Sequence, residues 1–361
     1  MQKFLIFSLI ATSFLTACAR GCVKSSNRAE NTPSTARSDD KKVNLFIWGE
    51  YTSPTLLAEF ETQTGIKVIE SNYSSNEELL AKLQAGADGY DLIIPSDYMV
   101  AVMRQLDLLA PIDHQNIPNI KNIDQALLNR SYDPDNQWSL PYSWAVTGIV
   151  YNKSKITRPI TGYSDFYSRD DLNHRMSILD DNREAIASML KSQGHSANST
   201  SDQELDEAKS KLLLVKKRVR EFNSSPSSLL QQGDLLAAQI FSNEALRLSE
   251  KNPEFEFILP DDGFTMAIDN MAIPKSSKHK EFALTLINFL LQESVNIRFS
   301  TELLAAPVVK NAREKLPESL RNHPAIGRLD LIQLRAEMIR DLGPVTEKYD
   351  RIWTEVKATS I

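Results

Sequence analysis

V-N-L-F-I-W-G-E-Y, residues 43–51, joins an apolar run to a polar tip. Val43, Leu45, Phe46 and Ile47 are too few for a helix, and their β-branched and aromatic content fits a buried strand. The run stops on Trp48, Gly49, Glu50 and Tyr51, where Gly49 permits a sharp turn. Trp48, Glu50 and Tyr51 then fall at the carboxyl end of a strand, the place where ligands bind in open α/β sheets. Ring faces attract a cation, and a carboxylate neutralises it and accepts its hydrogen bonds. One loop carrying both suits an organic cation. Trp48 and Tyr51 also read as plain core, and this stretch alone leaves both readings open.

Downstream, Ser53 and Pro54 make an N-cap followed by proline at the first helical position. Leu56, Leu57 and Phe60 follow at helical spacing, and Gly65 closes the helix. A second strand is expected at 66–69. Ser75 and Glu78 form a capping box for a helix ending near Ala85, and a third strand at 91–94 stops at Pro95. Alternating strands and helices of this kind predict a parallel α/β sheet. The third strand also ends on a polar tip, P-S-D-Y at 95–98. Asp97 reads as the cap of the next helix, and Ser96 and Tyr98 read as ligand contacts.

Further along, residues 131–141 are rich in turn formers, and P-Y-S-W at 141–144 leads into a strand over 146–151. This looks like a crossing between lobes. I-L-D-D-N-R-E at 178–184 is a short strand releasing acids at a helix start. Asp181 and Glu184, three apart, share one helical face. They serve either as acids complementing a helix N-terminus or as an acidic pair for a ligand. A helix is expected over 203–222, its basic run at 216–220 forming a solvated face. Strands follow at 237–241, ending on Phe241, and at 255–259 and 266–273. Asp269 interrupts the last of these, and an acid in an apolar strand costs free energy without a partner. A helix at 282–291 and further helices around a loop near Pro307 complete the chain.

The first forty residues do not read as fold. Lys3 precedes an apolar segment, 4–15, that is too short to span a bilayer, and L-T-A-C at 15–18 is a small-residue cleavage site. Cys18 and Cys22 are the only cysteines, so no disulfide staples the core. Residues 19–42 are polar and read as a flexible tether. At 361 residues two domains are the natural expectation. A net charge of −6 and pI near 5.6 argue against a nucleic-acid partner. The five histidines have no metal-ligand spacing, and G-x-S-x-G, H-E-x-x-H and the P-loop are absent. S-x-x-K at 277–280 lies in a hydrophilic surface run and is read as chance. Neither an enzyme nor a metal or other cofactor is expected.

The segments F-I-W-G-E-Y (46–51), T-G-I-K-V-I-E-S (64–71), Y-D-L-I-I-P-S-D-Y (90–98), L-P-Y-S-W (140–144), D-D-N-R-E (180–184) and D-N-M-A-I-P (269–274) resemble, in this order, the bacterial spermidine/putrescine-binding proteins. These are extracytoplasmic receptors of polyamine ABC transporters, and the resemblance covers about residues 43–361. It implies a two-lobed α/β fold of the type II periplasmic-binding-protein class, with two crossings and a ligand cleft between lobes. The lobes would be 43–144 plus 266–312, and 147–262 plus 313–361. It implies putrescine or spermidine as ligand and permease and ATPase subunits as partners. L-T-A-C resembles a lipobox, which implies removal of residues 1–17, lipid on Cys18 and membrane anchoring of the tether 18–42 in the periplasm or at the cell-envelope exterior. Matched residue by residue, Trp48, Glu50, Tyr51, Ser96 and Tyr98 would be first-lobe contacts. Asp181 and Glu184 would hold amino groups from the second lobe. Asp269 would grip an amine, and Phe241 stands where the family usually has Trp. Gly49, Ala267, Leu304 and Ile339 depart from the pattern, which thins the aromatic box and leaves the carboxylates in place.

Overall fold

A computed structural model describes residues 41–86, 88–327 and 329–359. The expected signal segment 1–17, Cys18, Cys22 and the tether up to residue 40 lie outside the described residues. Lys42, the last residue of that tether, already belongs to the first strand.

The chain opens with β1 (Lys42–Trp48), α1 (Pro54–Thr64), β2 (Lys67–Tyr73), α2 (Asn76–Gln84), β3 (Leu92–Ile93) and α3 (Asp97–Gln105). β1 pairs in parallel with both β2 and β3, as the alternating pattern predicts. Ser53 Oγ accepts from Leu56 N at 3.3 Å, and Gly65 closes α1 at φ 68°. Ser75 Oγ accepts from Glu78 N at 3.1 Å. The Glu78 carboxylate turns back to Ser74 N at 2.9 Å, one residue before the position a capping box would use. The turn after β1 differs from expectation: Glu50, not Gly49, takes the left-handed conformation, at φ 56°.

β4 (Ser139–Asn152) begins earlier than expected and runs through Pro141, which the ladder accommodates by a register shift between Pro141 and Ser143. Its first half, to Val146, pairs antiparallel with β9 (Phe264–Ala272). Its second half pairs with β7 (Ala237–Phe241) and β8 (Phe255–Ile258). Between them the chain forms α4 (Tyr163–Ser168), β5 (Met176–Ile178), α5 (Asn182–Ser192), α6 (Asp202–Lys216), β6 (Glu221–Phe222), α7 (Ser227–Gln232) and α8 (Ser242–Lys251). After β9 come α9 (Lys280–Leu290), α10 (Glu293–Leu303), α11 (Lys310–Glu314), α12 (Glu318–Arg321), α13 (Leu329–Arg335), β10 (Ala336–Met338) and α14 (Thr346–Ala358). The strand order is β2-β1-β3-β9-β4-β7-β5-β6, with β10 on β9 and β8 on β4. β4 therefore divides the strands into two halves.

The chain passes between these halves three times. It does so within β4, at 259–263 before β9, and at 339–345 after β10. β10 was not expected in a stretch that reads as helical. It forms where Ala336 to Met338 run parallel to Phe264 to Met266. α14 then packs on α5 and α6, in a core with Ile178, Ile186, Met189 and Leu212. The other large core joins Leu45 and Ile47 of β1 to Leu56 and Phe60 of α1 and to α9 and α10.

α6 stops at Lys216 rather than continuing to 222. Val219 is drawn into the core, and Glu221–Phe222 pair with β5. The basic run is a solvated face only in part: Lys217 and Arg220 are exposed, whereas Lys216 and Arg218 are half-buried. Lys216 Nζ donates to the carbonyls of Val356 and Lys357 at 2.7 and 2.9 Å, satisfying the last turn of α14. Arg218 donates to the carbonyls of Tyr167 and Arg169, at 3.0 and 2.5 Å. Among the described residues no helix is long and apolar enough to cross a membrane.

Candidate functional site

Asp269 stands inside β9, opposite Ser143 of β4 and bridged to Ser96. Its two carboxylate oxygens accept from different tips: Oδ1 from Ser96 Oγ at 2.7 Å and Oδ2 from the Tyr51 hydroxyl at 3.0 Å. Burial pushes its pKa up to about 6, against the two hydroxyls that favour the ionised form. No Lys, Arg or His among the described residues pairs with it. Tyr51 is fixed from behind, since the Tyr142 hydroxyl donates to its carbonyl at 2.6 Å and the two rings meet edge to face at 5.3 Å. Burial and the neighbouring Asp269 hold the Tyr51 hydroxyl well above its ordinary pKa, so it stays a donor.

The tip after β3 is built by the start of α3. Ser96 occupies the N-cap without capping the helix by its side chain. Asp97 was expected to be that cap and is instead the first residue of α3. Its Oδ1 accepts from Tyr98 N at 2.7 Å and its Oδ2 from Ile268 N at 3.2 Å, which ties the tip to β9. Burial pushes its pKa up to about 7. Asn76, which the sequence reading passed over, accepts from Ser96 N at 3.2 Å and donates to the Tyr98 hydroxyl at 3.0 Å. That hydroxyl in turn donates to Glu77 at 3.1 Å. A buried Asn just inside a helix start was the available signal. Trp48 is half-buried, with its indole N–H on the Ile94 carbonyl at 3.1 Å and its ring against Tyr73 at 4.7 Å. Glu50 stands apart: it is exposed and makes no hydrogen bond to any described residue.

On the other half, β5 and β7 run in parallel, and their carboxyl ends carry Asp181 and Phe241. Asp181 caps α5: its Oδ1 accepts from Arg183 N and Glu184 N, each at 2.9 Å. Its other oxygen takes no hydrogen bond from a described residue. Glu184 is only 5% exposed. Its Oε2 accepts from Thr265 Oγ1 of β9 at 2.6 Å, and its carbonyl accepts from Gln239 Nε2 at 3.1 Å. Burial, reinforced by the Asp181 charge, pushes the Glu184 carboxyl up to about 7. Phe241 is half-buried and has no aromatic partner among the described residues. The charge of Asp181 bears on the Tyr98 hydroxyl, and that of Glu77 on the Asp181 carboxyl. Thr265 and Gln239 were also missed; both are buried polar residues inside apolar strands.

Three of the departing positions are placed as well. Ala267 is half-buried on β9, two residues before Asp269. Leu304 is buried at the left-handed end of α10, at φ 53°, a conformation disfavoured for a branched side chain. Ile339 is half-buried just after β10.

The family model of the bacterial extracellular solute-binding proteins matches residues 55–327. The spermidine/putrescine-binding periplasmic protein of Salmonella typhimurium is 33% identical over 326 residues, which is 89% of this chain and 93% of that protein. Among solved structures, the substrate-binding protein of a spermidine/putrescine ABC transporter from Streptococcus pneumoniae, crystallised with calcium and HEPES, is 30% identical. It superposes with a TM-score of 0.81 over 88% of this chain and 98% of that one. A lipoprotein of Treponema pallidum, TpPotD, is 28% identical, with a TM-score of 0.76 over 88% of this chain and 99% of that one. The two halves joined through β4 are thus the two lobes of a type II periplasmic-binding-protein fold. This chain belongs to the bacterial extracellular solute-binding proteins, in the family of the spermidine/putrescine-binding periplasmic proteins.

Proposed function

We propose that this chain is a non-enzymatic receptor that captures a short di- or polyamine, putrescine or spermidine, and delivers it to the permease and ATPase subunits of an ABC importer. The observation that carries the reading is Asp269: an acid oriented by two hydroxyls at the meeting of two strand tips, with no protein cation beside it among the described residues. A carboxylate held in that way favours an organic ammonium. Trp48, Tyr51, Tyr98 and Phe241 supply ring faces, Ser96 a hydroxyl, and Glu50, Asp181 and Glu184 further negative charge. The names of the relatives support the ligand class.

We divide the lobes as 43–144 with 266–312, and 147–262 with 313–361, the part of that last range up to β10 lying with the first half. Residues 1–17 are a lipoprotein signal peptide, and 18–42 a tether anchored by lipid at Cys18, which places the receptor in the periplasm or at the cell-envelope exterior. The lipoprotein among the solved relatives supports the anchor. Calorimetry of the mature chain against putrescine, cadaverine, spermidine, spermine and a neutral diol of similar length tests the reading. Amines are expected to bind and the diol to give no heat. Binding of the diol, or of no amine, overturns it.

A further inference from the structure

We propose that Glu184 is a positioning residue that transmits the arrival of an amine to the crossing strands, by tightening its hydrogen bond to Thr265. This rests on the amine reading above. Thr265 is 3% exposed and lies on β9 beside Met266, the partner of Val146. β4 leaves the first half at Val146 and enters the second at Thr147, paired with Phe241. Thr265 therefore sits where the strands pass from one half to the other, and it is held on its other side by Glu337 of β10. Glu184 belongs to the first turn of α5, which moves with the second half through the Gln239 bond. The bond from Thr265 Oγ1 to Glu184 Oε2, at 2.6 Å, thus ties α5 to the crossing.

The groups acting on Glu184 decide the direction of the response. Asp181 and Arg183 act from its own helix, Tyr163 from α4, and the hydroxyls of Thr147 and Thr265 from β4 and β9. Burial first, and the Asp181 charge second, hold the Glu184 carboxyl close to neutral-pH titration. An ammonium at the free side of Asp181 offsets the second of these and favours the ionised form, and the Glu184 proton leaves to solvent. The carboxylate then accepts from Thr265 as a charged acceptor, a shorter and stronger bond than the neutral acid makes. The tie across the crossing tightens only when a cation is present, which favours closure.

The test uses Thr265→Val, Thr265→Ser and Glu184→Gln in the otherwise intact mature chain, with putrescine as probe. Thr265→Val is expected to weaken putrescine at least about fivefold. Thr265→Ser, which keeps the donor, should stay within about twofold of wild type. Putrescine titrations near pH 7 in buffers of different ionisation heat should show proton release in wild type and none in Glu184→Gln. This second readout stands even if Thr265→Val does not fold. Putrescine binding that is indifferent to Thr265→Val, or wild-type binding without proton release, overturns the coupling and leaves the amine reading intact. A wild-type chain that binds no amine overturns both.

Discussion

Ser96 lies at the N-cap of α3, yet its hydroxyl is directed 2.7 Å onto Asp269 and not onto a backbone N–H of its own helix. The helix forgoes a side-chain cap, a contribution of about 1 kcal/mol, and the acid of β9 gains a fixed orientation. Ser96→Ala should therefore weaken amine binding by about 1 kcal/mol, the scale of one hydrogen bond. Asp269→Asn should cost about 2–5 kcal/mol, the range for breaking a desolvated charge pair. Calorimetry checks both, and unchanged affinity in Asp269→Asn removes this acid from the site.

Three acids, Asp97 and Glu184 buried and Asp269 half-buried, set the pH response. Asp269 titrates at about 6, and Asp97 and Glu184 at about 7, all above their unfolded values near 4. The folded chain then binds more protons than the unfolded one between about pH 4 and 7, so the stability of the ligand-free protein falls as pH rises through that window. A bound cation favours the ionised forms and reverses the trend. The gain in melting temperature from putrescine should be larger near pH 7.5 than near pH 5.5. Equal gains at both values would be incompatible with Asp269 meeting the amine.

The ring set is thin. In the proposed site Trp48, Tyr51, Tyr98 and Phe241 would each contribute about 0.5–2 kcal/mol to a cation through their faces, but Tyr51 already packs on Tyr142 and Phe299. Ala267, Leu304 and Ile339 offer no ring. A central ammonium therefore has less support than terminal ones, and putrescine should bind at least as well as spermidine. Ala267→Trp should shift preference toward the longer amine. A wild-type preference for spermidine of tenfold, about 1.4 kcal/mol, would contradict this reading.

Glu337 of β10 accepts from Lys191 Nζ at 2.5 Å, Ala197 N at 2.9 Å and Asn198 Nδ2 at 2.9 Å, and also from Ser196. These donors hold its pKa down at about 2. Its stabilising effect is full above the unfolded value near 4.3 and is lost only as pH falls toward 2. Glu337→Gln should lower the urea midpoint at neutral pH by an amount equivalent to about 1–3 kcal/mol. An unchanged midpoint would show that the third passage is not held by this cluster.

If Cys18 carries lipid, Cys18→Ser should release the chain from membranes or block its processing, as read by fractionation and blotting. Normal membrane attachment of the variant would exclude the anchor.

Local signals made much of the first half legible. Ser53, Pro54 and Gly65 frame α1, and Ser75 starts α2, because each cue acts within a few residues of its effect. The tips were legible for a related reason: an apolar run that ends on polar and aromatic side chains marks a strand end. What escaped depends on distant partners. The end of α6 is set by Val219 entering the core, and β10 exists only because β9 lies beside it. The bond from Thr265 to Glu184 joins residues 81 positions apart. The left-handed Glu50 escaped because a glycine stood next to it and offered the simpler turn.

The place of β9 between β3 and β4 has a bearing on how the chain is made. Both neighbours are synthesised long before it, so β3 keeps a bare edge until residue 272 has left the ribosome. The first half cannot close early, however strong its local helices. Pairings of such long sequence separation are slow to form. A late-arriving central strand keeps the nascent polypeptide open and threadable, the state in which an exported chain passes through a translocon.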